Sequence, residues 1–256
     1  MGRITFNIQH WQALSAGLNS SESWLHWAQN QTWPQHSPPP KADLIPAMMR
    51  RRMSPLSKLA LQVAVSIKQR LDEQQDSIDY LIFSSRHGEL SRTSQLLQQI
   101  LNGEDASPTA FSQSVHNTSA GLFTIATQSP IPATSLAAAE SSLHHAFIEA
   151  GAYLAQHPNH RVLVIDFDES LPEPYTSFES QSHPGYALGL VLTGGKQVEL
   201  TWQSTKEQNS NLTTHHSSPF FCTQSLEILA NLTQKQQQWN IIDERFHWQW
   251  QYTQSF

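Results

Sequence analysis

The 256-residue chain holds a single cysteine, Cys222, which rules out an internal disulfide and any cysteine-rich metal site. No apolar run approaches the length needed to cross a bilayer. Basic residues gather nowhere beyond Arg50-Arg51-Arg52, and the formal net charge is -6, so nucleic acid is not an expected partner. The first residues, MGRITFNIQHW, are interrupted by Asn7, Gln9 and His10 and read as neither a signal peptide nor an anchor. Charged residues make up only 14% of the chain, so the surface is expected to be built of Gln, Ser and His, as suits a broad polar contact face. A soluble cytoplasmic protein is the expectation, and the length fits one α/β domain or two small ones.

Apolar periodicity divides the chain into elements. Residues 4–8 alternate like a first strand, residues 11–17 read as a short helix, and residues 19–41 read as loop despite Trp24, Trp27 and Trp33. Ser54 as N-cap and Pro55 in the first turn open a helix whose stripe is Leu56, Leu59, Ala60, Val63, Ile67 and Leu71. Residues 78–83 form a buried strand, and Leu96, Leu97, Ile100 and Leu101 mark a helix stopped by Gly103. Residues 161–167 form a second buried strand with Asp166, Asp168 and Glu169 at its end, followed by a proline-rich loop over 171–184. Residues 187–193 and 197–203 read as a hairpin across Gly194-Gly195. Residues 208–218 read as polar loop, 226–232 as a short helix, and Phe246, Trp248, Trp250 and Tyr252 alternate like a strand. This order predicts an α/β fold with a mainly parallel central sheet and helices on both faces.

The chain is organised around residues 111–154. A helical stretch over 116–128 leads through Ser129-Pro130-Ile131-Pro132 to a short strand, Ala133–Leu136, then a turn, Ala137-Ala138-Ala139, then a helix expected to start at Glu140. Leu143, Phe147, Ala150 and Leu154 recur on one face of that helix. A strand that turns abruptly into a helix N-terminus suits a nucleophile, because free amides and the helix dipole stabilise an anion there.

The run His116-Asn117-Thr118-Ser119-Ala120-Gly121 and the strand-turn-helix that follows resemble the N-terminal half of the β-ketoacyl synthases of the thiolase superfamily. The segments LIPAMMRRRMSPLSKLALQVA, IFSSRHGELSRT and SPTAFSQSVHN are similar to the truncated ketosynthase-like chain length factors of bacterial aryl polyene gene clusters. The likeness is strongest over residues 45–195, and it implies half of a thiolase-type fold in one domain spanning 1–256. With His145-Ala146 as anchor, the resemblance puts Glu140 at the place of the nucleophilic cysteine. The scaffold is therefore kept without its thiol. The two C-terminal histidines and the glycine-rich loop of a full ketosynthase have no counterpart after Gly195: His215-His216 precede Ser217-Ser218, and Cys222 has no strand-turn-helix around it.

The resemblance further implies a heterodimer with a full-length ketosynthase, reached by acyl carrier protein through that partner, with no cofactor and no metal. Ala133, Thr134, Ser135 and Leu136 would pair with the partner's copy of the strand. The segment Phe111, Gln113, Ser114, Val115, His116 and Asn117 would face the partner's acyl tunnel. Arg50, Arg51 and Arg52 are candidates for touching the acidic carrier protein. The alternatives are a decarboxylase or acyltransferase acting on malonyl-carrier thioesters through Glu140 or a histidine, and a homodimeric acyl-binding protein. His144 and His145 with Asp166 and Asp168 do not read as a metal site, since neighbouring helix residues point about 100° apart.

Overall fold

The computed structural model describes residues 1–179, 183–205 and 223–253. Cys222, His215 and His216, and the polar stretch 208–218, lie outside the described residues. The elements run β1 (Gly2–Ser15), α1 (Ser21–Asn30), α2 (Ala47–Arg50), α3 (Pro55–Glu73), β2 (Tyr80–Ser84), α4 (Leu90–Leu101), α5 (Pro108–Ser112), α6 (Thr118–Thr127), β3 (Ala133–Leu136), α7 (Ser142–Gln156), β4 (Arg161–Asp168), β5 (Tyr186–Ser204), α8 (Gln224–Thr233), β6 (Gln238–Ile242) and β7 (Phe246–Tyr252).

The strands form one sheet in the order β3-β2-β4-β5-β7-β6, with β1 alongside β5. The parallel part is confined to β3, β2 and β4, while β4–β5, β1–β5, β5–β7 and β6–β7 are antiparallel. The sheet is thus mixed rather than mainly parallel. The helical crossovers from β2 through β3 to β4 impose parallel pairing, whereas the described part of the connection from β4 to β5 holds only a three-residue 3-10 turn, Thr176–Phe178. Two apolar layers cover the faces. One joins α1, α7 and α8 to Phe6, Val162, Val164, Leu190 and Trp250; the other joins α3 and α6 to Leu81, Phe83, Leu163 and Ile165.

Helix α3 forms as its pattern predicts: Ser54 Oγ accepts from Ser57 N at 2.9 Å, Pro55 is the first residue, and Leu56, Ala60, Val63, Ile67 and Leu71 are buried. It can lie close to β5 because residue 189 is glycine; a Cβ there would come within 2.4 Å of Ile67 Cδ1.

Three readings are corrected. Residues 11–15 continue β1 rather than form a helix. A register shift between Ile8 and His10 breaks the alternation, and beyond it Ala13 packs into one layer and Leu14 into the other. The segment expected as loop contains α1, whose Ser20 and Ser23 form a capping box and whose Trp24 and Trp27 are buried. The expected hairpin across Gly194-Gly195 is one strand, β5. There β1 jumps register between Phe6 and Asn7; Asn7 Nδ2 donates to Gly194 O at 3.3 Å and its Oδ1 accepts from Gln197 N at 3.0 Å, so a side chain bridges the irregularity. Strand β6 went unread, since Gln238 and Asn240 alternate with only two buried residues, Trp239 and Ile241. Among the described residues no helix is long and apolar enough to cross a membrane.

Candidate functional site

A cleft of about 330 Å³ opens at the carboxyl ends of the parallel strands, where ligand sites of α/β sheets gather. Its wall includes Arg86 and His87 after β2, Ala139 and Glu140 after β3, and Asp168 and Glu169 at the end of β4. The strand-turn-helix is present: β3 ends at Leu136 and α7 begins at Ser142, two residues after the expected start. Ala139 adopts φ +54°, a left-handed conformation that costs an L-residue on the order of 1 kcal/mol. The turn is held by Ser142 Oγ, which donates to Ala139 O at 2.7 Å and accepts from Ala138 N at 3.0 Å. In a strand-to-helix elbow the strained residue is the one whose side chain stands exposed for attack. Here that residue is Ala139; Glu140, which the resemblance put in the nucleophile's place, comes next in the chain, half-exposed and 3.5 Å from Arg86 Nη2.

The hydroxyls beside the elbow are committed. Ser141 Oγ donates to Asp243 Oδ2 at 2.5 Å. Asp243 also accepts from Gln224 Nε2 and from the amides of Arg245 and Phe246, which together hold its carboxyl below the usual range although burial acts the other way. Gln224 Oε1 lies 2.8 Å from His144 Nδ1, and Trp250 Nε1 donates to His144 Nε2 at 3.1 Å. His144 is therefore a neutral core imidazole protonated on Nδ1, stacked on Trp248, and burial lowers its pKa to about 3. His145 points elsewhere, with Nδ1 donating to Ser141 O.

Asp168 organises the β2–α4 loop. Its carboxylate accepts from Ser85 Oγ at 2.8 Å, Arg86 N at 2.8 Å and His87 N at 3.2 Å. Burial and the neighbouring Asp166 nevertheless raise its pKa to about 7, and burial raises Asp166 to about 6. Burial also lowers the pKa of His87 and His183 in the cleft wall. The cleft thus offers in Asp168 a carboxyl group that can exchange a proton near neutrality, and in His87 and His183 imidazoles whose protonation burial disfavours, but a methyl group at the elbow itself.

The expected interface residues lie on the other side of the same loops. Phe111 lies in the short helix α5, one residue before its end, and is 66% exposed; Val115 and Asn117 are exposed, and Gln113, Ser114 and His116 are half-buried. His116 Nε2 donates to Ser85 O at 2.9 Å, and Ser85 N donates to Leu136 O, so the segment and the end of β3 meet at Ser85. Among the described residues β3 pairs with β2 alone; Ala133 is exposed, while Thr134, Ser135 and Leu136 are half-buried, with Thr134 Oγ1 hydrogen-bonded to Tyr80. Of the three arginines, Arg50 is engaged with Ala42 O at 2.8 Å, while the side chains of Arg51 and Arg52 are exposed. In α4, Leu97, Ile100 and Leu101 face outward instead of forming a buried stripe.

Sequence reasoning missed Glu89 and Arg92. Glu89 is buried and accepts from Ser54 Oγ at 2.8 Å and Ser57 Oγ at 2.5 Å. Its signal was a carboxylate directly before a helix and near a second helix's serine cap, legible only once α3 and α4 are adjacent.

The family profile for the β-ketoacyl synthase N-terminal domain matches residues 24–251. Among solved structures, the chain superposes with TM-score 0.81 and 29% identity on a chain of the ketosynthase ApeO in complex with its chain length factor ApeC from Xenorhabdus doucetiae, covering 97% of this chain and 99% of that one. It matches the ishigamide ketosynthase/chain length factor with TM-score 0.68 at 12% identity, covering 96% of this chain and 98% of that one. It matches the AntDE:AntF complex, a type II polyketide acyl-carrier protein with its ketosynthase, with TM-score 0.64 at 11% identity, covering 98% and 100%. These last two show the fold. No curated protein sequence matches the chain.

Proposed function

The chain belongs to the family of β-ketoacyl synthase N-terminal domains, and from that premise we propose that it is a chain length factor: a non-catalytic subunit that pairs with a complete ketosynthase and shapes its acyl tunnel in aryl polyene assembly. The observation that carries the reading is the elbow, where the strained position holds Ala139, Glu140 follows it, and the hydroxyls of Ser141 and Ser142 are both engaged. A decarboxylative condensation needs a nucleophile there, with acid/base groups and an oxyanion site around it. In this reading the partner supplies them. Residues 1–256 act as one domain in the cytoplasm, β3 and the Phe111–Asn117 segment meet the partner, and Arg51 and Arg52 add positive charge beside the carrier protein that serves it. The similarity to a chain of a ketosynthase–chain length factor complex supports the assignment.

The test is reconstitution. The chain is coexpressed with a full ketosynthase encoded beside it, copurified, and supplied with starter- and malonyl-loaded carrier protein. Elongation by the pair and by neither subunit alone is expected; condensation or malonyl decarboxylation by this chain alone would overturn the reading. Glu140→Gln in the pair is expected to keep turnover within about tenfold of wild type, less than 1.4 kcal/mol on the barrier. A loss of a hundredfold or more would make Glu140 catalytic.

A further inference from the structure

We propose that Arg92 sets how far the partner-facing segment reaches, as a positioning residue for product length that acts through Gln113. The inference rests on the reading of the chain as a chain length factor. Arg92 lies in the first turn of α4, and its side chain is largely buried. Its guanidinium touches three separate segments: Nη1 donates to Gln113 Oε1 at 2.9 Å, Nη2 to Arg52 O at 3.2 Å, and Nε lies 3.7 Å from Glu89 Oε2. A guanidinium presents its donors in a rigid plane, so these three positions cannot shift independently.

The far end of this linkage is fixed. Glu89 is held by the hydroxyls of Ser54 and Ser57 at the N-terminus of α3, and Ser57 Oγ lies 3.0 Å from Ser119 Oγ of α6. The near end is the segment itself. Gln113 is two residues from Phe111 and two from Val115, both exposed and outside the two apolar layers. Thr93 Oγ1 lies 3.1 Å from Ser114 O, and His116 is tied to Ser85 O, so the chain is clamped on both sides of Val115. The side-chain route from the buried N-terminus of α3 to the exposed Phe111 and Val115 therefore runs through Glu89, Arg92 and Gln113, beside the tie that Thr93 makes from Glu89 O to Ser114 O.

Arg92 has little else to do. Its charge faces Glu89 and its side chain is 16% exposed, which leaves it poorly placed to meet an acidic partner. A wall that stops a growing chain must be held to within a fraction of an ångström, and a loosened support blurs such a stop rather than removing it.

Three variants of the reconstituted heterodimer test this, with product lengths read by mass spectrometry and complex integrity by size-exclusion chromatography. Arg92→Lys keeps the charge beside Glu89 but cannot reach Gln113 and Arg52 O together. Gln113→Ala removes only the acceptor on the segment. Gln113→Glu restores an acceptor for the guanidinium. We expect the first two to form intact complexes whose products spread by at least one two-carbon unit, and the third to keep the wild-type distribution. A structural role alone would lower the melting temperature and leave the product ratio untouched. Intact Arg92→Lys and Gln113→Ala complexes with wild-type products overturn the proposal. If Arg92→Lys does not assemble, the distribution from Gln113→Ala decides. A wild-type pair that neither copurifies nor elongates is seen before any variant is made; it overturns the chain-length-factor reading and this inference with it.

Discussion

Phe111 and Asp168 sit on opposite sides of the loops that follow the parallel strands, and each supports a separate expectation. Phe111 lies in a five-residue helix with two thirds of its surface in solvent, so it is not a core residue and its truncation leaves no cavity. Phe111→Ala should therefore change stability by less than about 1 kcal/mol. If the ring closes the partner's tunnel, the heterodimer should make longer products, and Phe111→Trp shorter ones. An intact complex with unchanged products in both variants would shift attention to Gln113 and Val115. Asp168 makes a prediction about pH. Its folded pKa, about 7, lies above that of an unfolded aspartate, near 4, so the folded state binds the proton more tightly. Its contribution is full below about pH 4 and is lost as pH rises to about 7, on the order of 1 kcal/mol per pH unit. Urea titrations should show wild type losing stability relative to Asp168→Asn across that window, with the difference level above it. A difference independent of pH would mean that the three donors around Asp168 keep it ionised throughout.

Strand β3 is four residues long, carries no lysine, and pairs on one side only among the described residues. Pro132 O and Leu136 O accept from β2, so by alternation the backbone of Thr134 also faces β2, and the groups of Ala133 and Ser135 point to the open edge. Ala133→Pro removes one outward N–H without touching the β2 ladder. It should leave the fold intact and weaken the heterodimer by about 1 kcal/mol, roughly fivefold in Kd, measured by subunit exchange. An unchanged affinity would take β3 out of the interface. This strand, the α3 cap and the turn before α7 were all legible in the sequence, because each rests on a local signal: a short uncharged run after a proline turn, Ser54-Pro55, and a run of small residues. What was not legible depends on distant neighbours. The long β5 is continuous because Asn7, nearly two hundred residues away, bridges its irregularity. The second half of β1 lost its alternation to a register shift that no local pattern reveals. In the candidate site the elbow could be read, but its left-handed residue could not, and the buried Glu89–Arg92 pair appears only when α3, α4 and α5 are packed together.

Taken as a whole, the molecule has two well-filled layers and one side left bare. Leu97, Ile100 and Leu101 of α4, Phe111 and Val115, and Ile125 of α6 are all about half or more exposed; α4 packs against α5, and α6 lies beside the open strand β3. Isolated exposed leucines are ordinary, but six apolar residues on α4, on α5 and the turn after it, and on α6 beside a strand edge left open among the described residues make a surface that soluble monomers rarely leave open. The sparse charge of the chain gives little electrostatic protection. Alone, the protein is therefore expected to self-associate or precipitate, and coexpression with its ketosynthase should yield a monodisperse heterodimer burying about 2,000 Å² or more, as obligate pairs do. Size-exclusion chromatography with light scattering on both preparations distinguishes the outcomes. A monodisperse, folded monomer would mean that the bare side tolerates water and that the partner is optional. A stable symmetric homodimer would confirm the surface but turn it on itself, because an isologous interface lets β3 pair antiparallel with its own copy. That result would favour the homodimeric acyl-binding alternative, and adding the ketosynthase would settle which pairing wins: subunit exchange into the heterodimer is expected, and a homodimer that resists exchange would argue against a chain length factor.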